Sequence, residues 1–362
     1  MLSRVVDRAV NRTAHPGPLP ASARANAVQT ERPIVDLVVG SALFRDSFVR
    51  GSGGHVDLPR LKAAGFNAVG LTVATTWPDL RGSLSRWHFR SLGLPATAIE
   101  SPWAIGEWLI GRIHGWSAES DGQLLVLRSK ADLDACLTPG GPIGVLIGVQ
   151  GGQVLEANLG NVARLRKSGV RMFAPAHVMD NSLVGSSTGR RAGGLSDLGR
   201  EVIAELEAQA IVVDLAHMSL AGISQAMPLL KRPFTLSHTG LTDVAGGRSM
   251  VRRFSPATRN IPASLAAEIG AAGGLVGIVL STQLLGDSTM DAAVRTISLA
   301  VESAGAEHVA IGSDMDGALK MLVDVEGIPA LTDTLLVSGL PTETVAGVMG
   351  GNAVTLLRSA LD

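Results

Sequence analysis

Three histidines each close an apolar run: His177 in "MFAPAH", His217 in "VVDLAH" and His238 in "FTLSH". Asp314 and Asp316 follow a fourth run in "AIGSDMDG", and Gln150 ends a fifth in "LIGVQGG". Imidazole and carboxylate suit zinc, and a catalytic zinc takes three protein ligands and keeps one position open. His217, His238 and Asp314 can supply such a set. Two histidines and one carboxylate also match the facial triad of non-haem iron oxygenases. That triad is normally built on another fold, so zinc ranks above iron. A lone histidine is more often a satisfied structural residue; three at the ends of consecutive runs, with an aspartate across from them, point to a cluster. Gln150 is the odd member. A carboxylate in its place could hold a metal, whereas a neutral amide offers no charge and one weak carbonyl acceptor.

The elements that must position these residues follow one rhythm. Short apolar runs at 34–39, 68–73, 143–149, 170–176, 210–215, 234–237, 275–280 and 308–311 have the composition of strands buried on both faces. Helical patterns separate them. In "SDLGREVIAELEAQ" (196–209), Ser196 is placed to cap and apolar residues recur at 198, 202, 203 and 206. Others lie at 157–168, 219–230, 262–272 and 291–304, and three more close the chain near 330–338, 342–348 and 351–361. Eight strands alternating with helices predict a (β/α)₈ TIM barrel with a helical C-terminal segment. Every polar residue named above then falls at a strand's carboxyl end, the face where barrel enzymes keep their active sites. The irregular stretches 79–98 and 180–195 are candidate lids.

Composition narrows the classes. The chain has 362 residues, 46% hydrophobic and 17% charged, which suffices for a large core. A formal net charge of -1 gives no case for nucleic acid or an anionic membrane. The single cysteine, Cys136, excludes an internal disulfide and fits a reducing, cytoplasmic setting; its expected role is a buried small hydrophobe. No stretch has the apolar length of a transmembrane helix. Residues 1–32 are arginine-rich and acid-poor, which imitates a transit peptide but is better read as a flexible or surface-docked arm. Residues 33–362 are expected to form a single barrel domain.

Longer stretches carry a resemblance. "GGHVDLPRLKAAGFNAVGLTV", "GVLIGVQGGQVLEANLGNVARLRKSGVRMFAPAH", "VVDLAHMS", "TLSHTG", "TRNIP", "AIGSDMDG" and "LTDTLLVSGLPTETVAGVMGGNAVTLL" run in one order from about residue 33 to 361. In that combination the chain resembles the renal, or membrane, dipeptidase family of zinc peptidases, whose fold is a metallo-dependent hydrolase barrel. The resemblance implies that His217 and His238 bind the second zinc and that His177 helps hold the substrate or tetrahedral intermediate. It further implies that Arg259 grips the dipeptide carboxylate and that Asp314 handles the proton of the attacking water. It also implies a dipeptide or similar small molecule as substrate and a homodimer as candidate assembly.

The departures from that pattern are equally specific. The family's first strand ends in a His-x-Asp pair that binds the first zinc. Here it reads "IVDLVVG", with Val38 and Gly40 at those positions. The family's bridging glutamate in "GxEGG" is here Gln150. "HVDLP" (55–59) imitates the lost pair, yet it follows no strand, and Asp57 with Pro59 reads as a helix start. Three expectations follow, in order: a divergent hydrolase with one zinc or none, and Gln150 as a weak substrate or metal contact; a non-catalytic relative that keeps the pocket; and an ordinary two-zinc dipeptidase using His55 and Asp57.

Overall fold

The computed structural model describes residues 7–51, 53–76, 86–247 and 255–361. Its centre is a ring of parallel strands: β1 Val35–Val39, β2 Ala68–Ala74, β3 Ile143–Gln150, β4 Val170–Ala174, β5 Val212–Val213, β6 Thr235–Thr239, β7 Leu275–Ile278 and β8 Val309–Ile311. β1 to β5 pair in sequence order, as do β6 to β8. Two single bridges close the ring, Asp214 to Thr235 and Val39 to Met315. At the first seam Leu215 N–H donates to the Thr235 carbonyl at 2.7 Å; at the second, Gly40 N–H donates to the Met315 carbonyl at 2.7 Å and Asp314 N–H to the Val38 carbonyl at 3.0 Å. All eight expected strands are present. β5 is shorter than the run 210–215: Ile211 N–H still bonds the preceding helix at the Leu206 carbonyl, and Asp214 turns to bridge Thr235 on β6. β6 runs on to Thr239, so His238 stands inside it rather than just beyond it.

The strands are buried along their lengths, as uninterrupted Val, Ile and Leu runs between helices must be. The crossover helices take their expected registers. Ser196 caps the helix Asp197–Ala208 by accepting from Gly199 N–H, and Val202, Ile203 and Leu206 face inward. The last helix, Asn352–Ala360, lays Ala353, Leu356, Leu357 and Ala360 against Val35, Leu37, Ala68, Leu275 and Ala310, at or near the starts of the strands. Each fully buried leucine there contributes about 1.5–3 kcal/mol. That plug closes the amino-terminal end of the barrel and leaves chemistry to the other end.

Residues 7–31 dock on the β8 side. The segment Thr13–His15 pairs in parallel with Met321–Val323, and the helix Ala23–Glu31 packs beside Ile328–Val337, with Gln29 Nε2 donating to Thr332 Oγ1 at 2.6 Å. Cys136 is buried, and burial pushes its thiol up to about 12, which leaves it inert. No helix among the described residues is long and apolar enough to cross a membrane. The expected lid 180–195 is stitched down instead: the Asp180 carboxylate accepts from Ser186 N–H and Arg191 N–H, and Ser187 N–H donates to the His217 carbonyl. Part of the other, 79–85, lies outside the described residues.

Candidate active site

His217 and His238 meet at the carboxyl ends of β5 and β6, with their Nε2 atoms 3.0 Å apart. The elements beneath fix the approach. His238 Nδ1 lies 2.8 Å from Ser237 Oγ, and Ser237 Oγ donates to Asp214 Oδ2 at 2.6 Å. With Ser237 Oγ donating to Asp214, the consistent arrangement has His238 Nδ1–H donating to Oγ. His238 Nε2 is left as a lone pair facing His217. A ligand histidine is usually oriented this way, by donating its other N–H to a polar neighbour. His217 is held with φ +64, a left-handed backbone that a non-glycine residue adopts at a cost.

His177, beyond β4, stacks edge-on against His217 with ring centroids 4.7 Å apart. Its ring bonds the Thr76 carbonyl, while its Nδ1 has no partner among the described residues. All three imidazoles are neutral. Burial, reinforced by the nearby Arg259 charge, lowers His177 to about 4 and holds His217 and His238 well below the ordinary histidine range.

Arg259 ends the short helix Pro256–Arg259 and is buried. Its Nη2 donates to the His238 carbonyl at 2.9 Å. Burial lowers it to about 10, and the charges of Asp314 and Asp214 oppose that shift. Its sequence neighbours Arg248, Arg252 and Arg253 lie outside the described residues. Asp314, just past β8, also has a left-handed backbone, with φ +61. Burial pushes its carboxyl up to about 7, against the pull of Arg259 and with a further push from Asp36.

The structure therefore brings His177, His217, His238, Arg259 and Asp314 into one electrostatic group around the barrel mouth. It does not draw Asp314 into ligating range of the histidine pair: among the described residues, no three His, Cys, Asp or Glu side chains stand close enough to hold a metal ion. The cation whose charge acts on Asp314 is Arg259. Both neutral rings bring Nε2 to one point, and His238 has the tautomer of a metal ligand, while His217 Nδ1 is buried without a partner among the described residues.

The positions at which the resemblance puts the first-metal ligands carry no ligand side chain. Val38 is buried in the apolar cluster beneath, and a Cβ on Gly40 would stand 2.7 Å from the Asp316 carbonyl oxygen. Gln150 ends β3, buried, with its Nε2 unpartnered among the described residues. His55 and Asp57 do not replace the missing pair. Asp57 caps the helix Leu58–Ala63 and pairs with Arg60 at 2.9 Å. Both ring nitrogens of His55 are taken, Nδ1 by Asp316 N–H and Nε2 by the Arg12 carbonyl.

Sequence reasoning missed Asp36, Asp214 and Ser237. Asp36 on β1 and Asp214 just after β5 are built alike. Each accepts from the N–H two residues on (Val38, Ala216) and from a serine N–H on the adjoining strand segment (Ser313, Ser237). The available signal was the repeated "VDL", an acid inside an otherwise apolar strand.

Residues 22–361 match the family model described as membrane dipeptidase, peptidase family M19. The dipeptidase tcpJ of Claviceps purpurea is 27% identical over 320 residues, 85% of this chain and 70% of that protein. The dipeptidase aclJ of Aspergillus oryzae is 29% identical over 227 residues, 60% of this chain and about half (51%) of that protein's length. Among solved structures, the probable dipeptidase PvdM from Pseudomonas aeruginosa superposes with a TM-score of 0.77 at 16% identity, covering 93% of this chain and 97% of that one. A metallopeptidase from Rhodobacter sphaeroides, liganded with a phosphinate mimic of the dipeptide L-Ala-D-Ala, superposes with a TM-score of 0.76 at 22% identity, covering 91% and 99%. At these identities the structural likeness carries the fold alone, a TIM-barrel-type architecture.

Proposed function

Because the chain belongs to the membrane dipeptidase family, peptidase family M19, we propose that it is a divergent hydrolase of a dipeptide or small peptide-like amide, working with one metal ion or none. The observation that carries this reading is the His217–His238 pair, neutral, 3.0 Å apart and oriented through Ser237 and Asp214, beside Val38 and Gly40 where a first metal would need ligands. His217 and His238 would hold the ion, and a third protein contact from Asp314 would require it to move into reach. When bound, zinc supplies Lewis-acid polarisation of the substrate carbonyl. Asp314, at about 7, is poised to take a proton from the attacking water and pass it to the departing amine. Arg259 offers a guanidinium to the substrate carboxylate, and His177 helps hold the substrate or the tetrahedral intermediate. Purified protein is expected to carry about one zinc per chain or less, His217→Ala to remove it, and ordinary dipeptides to be cleaved negligibly. Two zinc ions per chain with brisk dipeptide cleavage would sink the proposal.

A non-catalytic binding protein is the second reading, favoured by the same three positions, Val38, Gly40 and Gln150. Metal content separates the two, since a chain purified without any metal and inert toward small amides supports the second.

The elevated Asp314 pKa has a consequence for stability. A carboxyl raised in the folded state contributes stability at low pH that is lost as pH rises from about 4 to about 7. The lowered histidines act oppositely, losing stability as pH falls below about 6.5. Comparison with Asp314→Asn isolates the aspartate. The variant should gain on the wild type between pH 5 and pH 8 by on the order of 2–4 kcal/mol, since each tenfold change in a protonation equilibrium is worth about 1.4 kcal/mol. Thermal melts of chelator-treated protein at the two pH values check this; a constant difference contradicts it.

A further inference from the structure

We infer that the vacated first-metal side of this site is an oxyanion-binding subsite built from neutral donors, with Gln150 at its centre. The inference rests on the hydrolase reading above and deepens it by naming what replaces a cation there.

Gln150 is the last residue of β3, paired in the ladder with Ala74 on β2 and Ala174 on β4. Its Nε2 is buried and has no hydrogen-bond partner among the described residues. Two hydroxyls on and just after the neighbouring strand β2 are in the same state. Thr72 lies on β2 opposite Gly148, one pleat below the Ala74–Gln150 pair, and its Oγ1 would be 3.1 Å from a Cβ on Gly148. That glycine leaves a narrow gap before the hydroxyl, bounded on its other side by the Met172 methyl, 3.2 Å from the same Cβ position. Thr76 follows β2, and its Oγ1 would lie 3.7 Å from a Cβ on Gly151, the residue after Gln150. Oγ1 of Thr72 and of Thr76 are both buried and unpartnered among the described residues. Thr75 does not join them, because its methyl points at Gly106 on the crossover helix Pro102–Glu119.

His177 marks the far wall. A Cβ on Gly151 would stand 3.4 Å from His177 Cβ. Since the Nδ1 of that ring is unpartnered, Nε2–H is the nitrogen donating to the Thr76 carbonyl, and Nδ1 is an acceptor. The free donors are therefore Gln150 and the two threonines, on one arc of the mouth spanning β2 and β3.

Buried donors left unmade are costly, and proteins rarely keep several together. Three of them on β2, the residues just after it and the end of β3 are explained by an acceptor that arrives with the ligand. Fixed dipoles aimed at a developing negative charge are what stabilises the tetrahedral oxyanion of amide hydrolysis when no cation does so. In that step water oxygen bonds to the amide carbon and the C=O pair moves onto oxygen, facing the donors. The C–N bond then breaks, with the water proton delivered to nitrogen. Glutamate at 150 would place a negative charge against that oxygen; glutamine has the same shape and donates.

The test compares two probes by calorimetry on the protein as purified: the dipeptide L-Ala-D-Ala and its phosphinate mimic, which carries the tetrahedral, anionic oxygens. Gln150→Leu is expected to weaken the phosphinate by about 100-fold or more and the dipeptide less than about threefold, in line with the loss of one oxyanion donor. Gln150→Glu, measured with chelator present, should weaken the phosphinate further, and Thr76→Val should weaken it in the same direction as Gln150→Leu. Unchanged phosphinate affinity in Gln150→Leu and Thr76→Val overturns the subsite. If the wild type binds the dipeptide but not the phosphinate, the subsite is wrong and the hydrolase reading stands. If it binds neither, that reading fails and the subsite with it.

Discussion

Restoring the three lost ligands, Val38→His, Gly40→Asp and Gln150→Glu, is expected to produce a destabilised protein that still binds no more than one zinc per chain. The obstacle is Gly40. Its backbone is held to the loop after β8 by donation from Gly40 N–H to the Met315 carbonyl at 2.7 Å. A Cβ there would meet the Asp316 carbonyl oxygen at 2.7 Å, its carbon at 3.0 Å and Gly317 Cα at 3.1 Å. All three are backbone atoms, so no side chain can swing aside. The loop would have to move and break the bridge between Val39 and Met315 that closes the barrel. Overpacking of this kind costs about 1–3 kcal/mol, and the opened seam adds to it. Gln150→Glu alone should raise zinc affinity, because it sets a carboxylate near two imidazoles, without creating a second site. Denaturant midpoints and elemental analysis of the single and triple variants check this. A triple variant with two zinc ions and a wild-type midpoint would show that the loop yields freely.

The contrast between Gly40 and the histidines shows what a sequence can disclose. His177, His217 and His238 were legible because each ends an apolar run, and a buried run of that composition has one architecture available to it. The strand order, the C-terminal helices and the Asp57 cap were legible for the same local reason. Gly40 was legible only as a missing ligand. That the space is filled by the backbone of residues 316 and 317 depends on a contact across 276 positions, which no local pattern encodes. The failure of Asp314 to group with His217 and His238 belongs to the same class: all three lie at the barrel mouth, but ångström-scale reach is set by packing. Asp36 and Asp214 lay between. An acid inside an apolar strand demands partners, yet which serines supply them is fixed only when β8 meets β1 and β6 meets β5.

Arg45→Met is expected to be the most destabilising single change in the molecule outside the apolar core, at about 3–5 kcal/mol, because it leaves buried carboxylates without their cation. Arg45 is 2% exposed and Asp316 fully buried. The guanidinium donates from Nε to Asp316 Oδ2 at 3.0 Å and also pairs through Nη2 with Asp316 and through Nη1 with Asp7. Asp316 accepts further from Ser41 Oγ at 2.7 Å and from His55 N–H at 2.8 Å. Burial alone would raise the Asp316 carboxyl; the His55 hydrogen bond and Arg45 outweigh it and hold the group well below the ordinary carboxylate range. A depressed carboxylate contributes stability that is present above about pH 4 and is lost as pH falls further. The penalty of Arg45→Met should therefore be largest at neutral pH and shrink in acid, where Asp316 is protonated when left unpaired. Arg45→Lys should recover part of it, since an ammonium restores charge but not the fork that serves two carboxylates. Asp7→Asn should cost less, about 1 kcal/mol, because Asn11 and Arg45 both keep another partner. Urea titrations at pH 4 and pH 7 read these differences. An Arg45→Met penalty that is small, or equal at the two pH values, would mean that water reaches Asp316 and that the seam between β1 and β8 is held by its backbone bonds alone.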